Sequence, residues 1–393
     1  MFKAKHSISL LFNANKVYDR QVIEGIGHYL QSSKVDWDVY LEEDFLARID
    51  NINDWVGDGI IADFDSPSIQ HAVENIDLPV IGVGGSYENL DDYPNVPYVA
   101  TDNLAVVKCA YEHLKQKGLE RFAFYGFPPD ENHRWATERE KAIIKLCKED
   151  GYDCAVYRGH PTRPETWQYS MNRLSDWLQS LPNPVGVISV TDARARHLLQ
   201  ACDHTGKLVP DQISIVGIDD DDIARNLSRI SLSSVTQGGF DMGFQAAKLL
   251  HRRLENPNLK NKIVTVPPIG VAQRQSTDFK ALKDPHVIQA MHFIRQNACK
   301  GIKVEQVLDY VGISRSNLES RFYEERGHSI HNEIHNEKLS KACSMLTSSD
   351  NQTSEIALMC GYPSLQYMYA VFRKHFDQTP KEYRDQHLQQ SES

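Results

Sequence analysis

Seven polar residues stand where short apolar runs end: Asn13 after SISLLF, Asp63 and Asp65 in GIIADFD, Asp102 in VATDN, Thr191 and Asp192 in VISVTD, and Asp219 in SIVGID. Two more residues, Trp135 and Arg139 in RWATERE, are four apart and share one face of a helix. Hydroxyl groups need donors and acceptors at fixed positions, and the C–H face of a sugar ring prefers an aromatic platform. The set therefore fits a cleft that binds a polyol. Helix capping competes with that role: Asp102 and Asp192 are equally suited to cap the helices that follow them, Asp219 and Arg139 less so.

Other chemistries lack their residues. GVGG (82–85) does not have the spacing of a nucleotide loop, and no phosphate-binding loop, nucleophile elbow or Ser-His-Asp order is present. The acidic run Asp219 to Asp222 cannot face a single ion from one turn. His328, His331 and His335 lack a third ligand in register, so no metal is expected. The seven cysteines are scattered, without a CxxC pair, and read as reduced cytosolic thiols. The sequence thus predicts a binding protein without a catalytic residue or cofactor.

The elements that must hold these residues alternate. Apolar runs at 7–14, 37–43, 59–65, 79–85, 97–103, 121–127, 186–192 and 214–219 read as strands. Amphipathic stretches such as YDRQVIEGIGHYLQSS and LAVVKCAYEHLKQKG lie between them and read as helices. Parallel α/β sheets carry ligand groups at the carboxyl ends of their strands, which is where the polar residues lie. So many units exceed one sheet, and a second series starts near 120. Two α/β lobes flanking a cleft are expected over 1–276, followed by a linker at 277–285.

At 393 residues the chain is long enough for two or three domains. Its 41% hydrophobic and 24% charged residues suit a soluble protein, and the apolar stretch near the N-terminus is too short for a signal-peptide core, so a cytoplasmic location and no membrane partner are expected. A net charge of −10 argues against nucleic acid for the chain as a whole.

Residues 286–386 reverse that argument. Strand patterns vanish there, and two stretches share one plan: VEQVLDYVGISRSNLESRF (motif 304–325) and TSEIALMCGYPSLQYMYAVF (motif 353–376). Counted from Val304 and Thr353, Leu308 and Ala357 fall fifth, Gly312 and Gly361 ninth, Leu318 and Tyr367 fifteenth. This is helix-turn-helix register, with glycine in a left-handed turn and the fifteenth residue as the buried anchor of the second helix. Ser314 and Ser364 are expected N-caps. Arg315, Ser316, Asn317 and Arg321, with Leu365, Gln366 and Tyr369, would face major grooves, and Arg373 and Lys374 phosphates. The segment 285–393 carries 12 Lys and Arg against 13 Asp and Glu, so nonspecific affinity should be modest. Residues 387–393 read as a frayed tail.

The helical part resembles the DNA-binding domain of the arabinose-operon activator family, through IHNEIHNEKLSKACSML as a linking helix and IALMCGYPSLQYMYAVFRKHFDQTPKEYR. That resemblance implies one major-groove segment read by each motif. Residues 7–276 resemble the periplasmic-binding-protein-type (type I) core of lac-repressor-type regulators, through VATDNLA, WATERE, VISVTDARA and ISIVGIDDDD. That family implies sugar contacts at Asp102, Trp135, Arg139, Thr191 and Asp219. Its members carry a helix-turn-helix at the N-terminus, whereas this chain starts with a strand, so the DNA-binding function is expected to have moved to the C-terminus. The combination is similar over essentially its full length to bacterial pentose-operon regulators, and D-xylose as effector rests on that resemblance alone. The expected function is a sugar-dependent transcription activator, a homodimer on a double-stranded operator with repeated half-sites, with RNA polymerase as a further partner. The alternatives are a carbohydrate-processing enzyme with a helical appendage, a scaffold whose helical part contacts protein, and the same regulator responding to another sugar.

Overall fold

The structure is a computed structural model that describes all residues except 1–4, 34, 42–56, 74–75, 131–132, 162, 279–281, 283, 350 and 392–393, and omits the side chains of 348 and 387–391. The chain forms two compact units, Met1–Lys280 and Ala281–Ser393. Part of the expected linker, at 279–281 and 283, lies outside the described residues.

The first unit contains two sheets. One holds β1 (His6–Leu11), β2 (Trp37–Tyr40), β3 (Gly59–Asp63), β4 (Val80–Gly85), β5 (Tyr98–Thr101) and β11 (Ile263–Val266). These are all parallel, in the order β11-β5-β4-β3-β1-β2. The other holds β6 (Phe122–Gly126), β7 (Cys154–Arg158), β8 (Val185–Ser189), β9 (Ile213–Ile218), β10 (Ser233–Thr236) and β12 (Gly270–Ala272), in the order β12-β10-β9-β8-β6-β7. Only β12 runs antiparallel, against β10. All eight expected strands are present. The central ones are buried on both faces, as helices covering both sides of a parallel sheet require.

The chain passes from one sheet to the other three times. After β5, helix Asn103–Gln116 packs on strands of the second sheet. After β10, helix Gly239–Glu255 packs on β3, β4, β5 and β11 of the first. Between β11 and β12 the chain crosses again. Separate apolar cores fill the two lobes, one around Ile8, Leu10, Phe12, Val83 and Leu250, the other around Ala123, Leu174, Leu198 and Ile215. Polar residues at the crossings therefore lie between two cores.

The second unit is all helical: Pro285–Asn297, Val304–Val311, Arg315–Arg326, Ile330–Ser348, Thr353–Met359, Leu365–Phe376 and Pro380–Ser391. The last helix extends through most of the segment expected to fray. The chain accordingly has the expected fold class, a two-lobed α/β domain followed by a helical domain with two helix-turn-helix motifs.

Candidate effector cleft and nucleic-acid interface

Strand β6 delivers the chain into helix Arg134–Glu149, whose first two turns bring Trp135 and Arg139 to the crossings. Arg139 is 4% exposed. Its guanidinium donates to Asn103 Oδ1 (3.0 Å), the Val190 carbonyl (2.8 Å) and Gln237 Oε1 (3.0 Å), and lies 4.8 Å from the centre of the Trp135 ring. Gln237 Nε2 in turn donates to Asp219 Oδ1 at 2.6 Å. Asn103 lies two residues after β5 and Gln237 directly after β10, at two of the three crossings. A strand end of each lobe thus meets on one cation.

Fixing a charge there requires compensation. Burial holds the Arg139 guanidinium below its ordinary pKa, opposed by Asp219 among other carboxylates. Burial pushes Asp219 up to about 6 against the pull of Arg139. The turn that carries Asp219 is strained: Asp219 has φ 120° and Asp220 φ 55°, both on the left-handed side where residues with a Cβ are rare.

A second cluster lines the first lobe. Asp65 accepts from the Gly85 amide (2.9 and 3.0 Å) and from Arg134 (3.0 Å). Arg134 also pairs with Glu138 at 2.9 Å and stacks 3.7 Å over the Tyr87 ring. Burial and the neighbouring Asp63 push Asp65 up to about 6 despite Arg134. Lys16 reaches Asp63 at 3.1 Å. Asn13 donates its amide to buried Asp19 (2.6 Å), and its side chain accepts from the Asn15 amide (3.1 Å).

Three expected contacts are engaged elsewhere. Asp102 caps helix Asn103–Gln116 through the Ala105 amide (2.8 Å), and Thr191 caps helix Asp192–Thr205 through the Arg194 amide (3.3 Å). Asp192, 2% exposed, accepts from Ser234 Oγ (2.6 Å) and the Asp221 amide (2.7 Å). It occupies room that only a glycine at 217 leaves, since a Cβ there would stand 1.9 Å from its Oδ1. Sequence reasoning missed Asn103, Arg134, Glu138, Gln237 and Lys16. Arg134 and Asn103 directly adjoin residues it did select, whereas Gln237 follows a short strand it did not identify.

In the helical unit, Gly312 (φ 77°) and Gly361 (φ 68°) make the two turns in the left-handed conformation. Gly361 also needs its missing side chain, because a Cβ would lie 2.3 Å from the Cys299 carbonyl oxygen. The second motif departs from the expected register. Only Ile313 separates Gly312 from Ser314, but Tyr362 and Pro363 separate Gly361 from Ser364. That extra residue moves the buried anchor from Tyr367, 41% exposed, to Met368, 0% exposed. Counted from the N-caps the two motifs then agree: Leu318 and Phe322 in one, Met368 and Phe372 in the other, all fully buried.

Ser364 caps its helix through the Tyr367 amide (3.1 Å), while Ser314 holds the cap position without such a bond. Arg315, Ser316 and Asn317 are exposed, with Arg315 3.2 Å from Glu305. Arg321 is engaged within the protein, donating to Asn317 (2.6 Å) and to Asp284, which caps the first helix of the unit. Gln366 and Lys374 are exposed, Tyr369 is half-buried, and Leu365 packs on the core beside Met368. Arg373 is exposed, 3.5 Å from Glu382. Two acids away from these helix starts are paired: Glu333 with Arg326 and His328, and Glu337 with Arg295 at 3.5 Å. Among the described residues no group of three or more His, Cys, Asp or Glu could hold a metal ion, and no helix is long and apolar enough to cross a membrane.

Family models match along the chain: an XylR N-terminal domain at 7–104, a periplasmic binding protein-like domain at 111–277 and a helix-turn-helix domain at 307–386. The chain is 58% identical over 385 residues to the xylose operon regulatory protein of Escherichia coli K12, covering 98% of each, and 49% identical over 384 residues to that of Haemophilus influenzae, covering 98% of this chain and 99% of that one. It superposes on the solved structure of a xylose-binding transcription activator with TM-score 0.90 at 56% identity, covering 98% and 99% of the two chains. A two-lobed cleft and two helix-turn-helix motifs in one chain, with relatives this similar along their whole length, leave one conclusion: the chain belongs to the xylose operon regulatory proteins, a family of transcription regulators and not of enzymes.

Proposed function

We propose that this chain is a transcription activator gated by D-xylose, which binds between the two lobes and acts through two helix-turn-helix motifs on double-stranded DNA. The observation that carries the reading is the Asn103–Arg139–Gln237–Asp219 chain at the lobe crossings, beside the Trp135 ring. A pentose offers hydroxyls that both donate and accept, and this chain supplies a fixed cation, a carboxylate and two amides around one aromatic face. Asp65 and Asn13 supply the first lobe's edge. Asp102 and Thr191, which cap helices, and Asp192, which is fully enclosed between Ser234 and the Asp221 amide, shape the cleft instead of filling it.

The sugar can shift the lobes only by its preference for the closed form, typically ~1–3 kcal/mol. That suffices when two copies of the chain bind two half-sites, because the second contact is then intramolecular and responds steeply to geometry. In each copy the exposed starts of the two second helices, at Arg315–Asn317 and Gln366, read base edges, while Arg373 and Lys374 neutralise phosphates. RNA polymerase is the partner through which an activator of this kind acts.

Tryptophan fluorescence of the full chain, titrated with xylose and then arabinose, ribose and glucose, tests the reading. Saturable change with xylose at the lowest concentration supports it. A stronger response to another sugar reassigns the effector, and no response with an unchanged melting temperature removes the sugar from the proposal.

A further inference from the structure

We propose that Arg274 is a positioning residue that couples the strained cleft turn at Asp219–Asp220 to the point where the chain leaves the α/β unit. This inference rests on the sugar reading of the cleft and adds the route by which occupancy is passed on.

The turn and the exit segment share one set of hydrogen bonds. Arg274 donates to Asp220 Oδ1 at 2.7 Å and to the Leu232 carbonyl at 2.9 Å, with both charged side chains less than a quarter exposed. Asp220 is held further by Thr236 Oγ1 (3.1 Å) and, through its amide, by Ser234 Oγ (3.0 Å). Its neighbour Asp219 donates its amide to the Val235 carbonyl (3.0 Å) and presents its carboxylate to Gln237. A two-residue left-handed excursion by aspartates is costly and persists only where its surroundings over-determine it. Arg274 holds that turn by an ion pair that reaches it from the far end of the unit.

On its other side Arg274 begins a buried anchor. Its amide donates to Ser233 Oγ (2.8 Å), and that hydroxyl donates to its carbonyl (2.9 Å) and meets Thr277 Oγ1 at 2.7 Å. Ser276 Oγ donates to the Ile215 carbonyl (2.6 Å) and accepts from the Ser233 amide (2.8 Å). Thr277 Oγ1 also lies 2.8 Å from His113 Nε2, and both Ser276 and Thr277 are fully buried. Three residues later the compact unit ends, at Lys280. A movement of the Asp219 carboxylate toward a bound sugar therefore reaches the last anchored residues through one ion pair and one serine.

The test uses full-length protein, xylose, and a DNA duplex that the full chain selects from a random pool. In the wild type, xylose should change duplex affinity by a factor on the order of 5–150, the usual range of allosteric coupling. In Arg274→Ala that factor should fall to near 1, with xylose still quenching or enhancing tryptophan fluorescence over the same concentration range. Asp220→Asn should reduce the factor in the same way, and Arg274→Ala combined with Asp220→Asn should be no worse than either alone, as partners in one interaction behave. Arg274→Lys, which keeps a charge within reach of Asp220, should restore part of the coupling, which a general loss of packing would not allow. Full coupling retained in Arg274→Ala or Asp220→Asn overturns the proposal. So does loss of xylose binding in both variants at an unchanged melting temperature, which would make the pair part of the sugar site. Failure of the wild type to respond to any pentose is a separate result, and removes the cleft reading on which the coupling rests.

Discussion

The cleft and the recognition surface use their polar groups in opposite ways. Around Arg139 the polar groups are matched within the protein: the guanidinium, Asn103, Gln237 and Asp219 form one continuous chain with distances of 2.6–3.0 Å. On the starts of helices Arg315–Arg326 and Leu365–Phe376, Ser316 and Gln366 stand in solvent, as does Lys374 further along the second. A buried site must satisfy its groups before the ligand arrives, since an unmatched polar group in low dielectric costs about 1–3 kcal/mol. A surface that meets DNA keeps water as its partner and exchanges it on binding. Loss of one cleft residue should therefore damage folding and binding together, whereas loss of one recognition residue should damage binding alone.

The largest test of this contrast is Arg139→Ala, which leaves Asn103, Gln237 and Asp219 without their cation. Breaking a buried charged network typically costs about 3–5 kcal/mol, so a drop in melting temperature together with loss of the xylose response is expected. Unchanged stability would show that the network is not a fixed part of the fold. Next, Met368→Ala should cost about 2–5 kcal/mol as a core truncation, while Tyr367→Ala should cost much less; chemical denaturation of both variants decides which residue anchors the second motif. Smaller again, and confined to binding, Arg315→Ala should cost about 1–3 kcal/mol at one base position of a selected duplex. Lys374→Ala should instead weaken all duplexes alike and lower the salt dependence by about one unit. Equal behaviour of the two would break their assigned roles.

A separate test concerns pH. Burial and the neighbouring Asp63 push the Asp19 carboxyl up to about 8, from an ordinary value of 3.8. An acid raised in this way keeps its proton longer in the folded state than in the unfolded one. Its contribution to stability is therefore fully present below about pH 4 and is lost as pH rises through about 8. Asp19→Asn, which cannot ionise, should accordingly gain in melting temperature relative to the wild type as pH rises from about 5 to about 9. A constant difference across that range would place the carboxyl in a solvated state.

Most of the scaffold was legible because its signal is local. Buried parallel strands read as apolar runs, and their polar ends lie where the fold needs a ligand. β7, β10, β11 and β12 did not stand out because they are short or partly exposed, with sequences such as SSVT that carry no continuous apolar run. Gln237 was lost with β10, and with it one end of the Arg139 chain. Asp192 has the same residue type and strand-end position as Asp219, and a difference in capping tendency is all that separates them locally. One side chain points at Ser234 and the Asp221 amide, the other at Gln237, and only neighbours distant in sequence decide which. The slip at Tyr367 has a different origin: counted from the expected caps Ser314 and Ser364 instead of from Val304 and Thr353, the sequence itself gives Leu318 and Met368 as equivalent anchors.

The sequence by itself determined the two-part architecture, the strand-end polar set and the pairing of two glycine-centred turns, because periodicity and turn chemistry act over a few neighbouring residues. Tertiary structure alone decided which partner each strand-end acid engages. It also joined Arg321 to Asp284 and Arg274 to Asp220 across 54 residues. Those choices depend on desolvation and on partners brought together by the crossings of the chain, which no local pattern encodes.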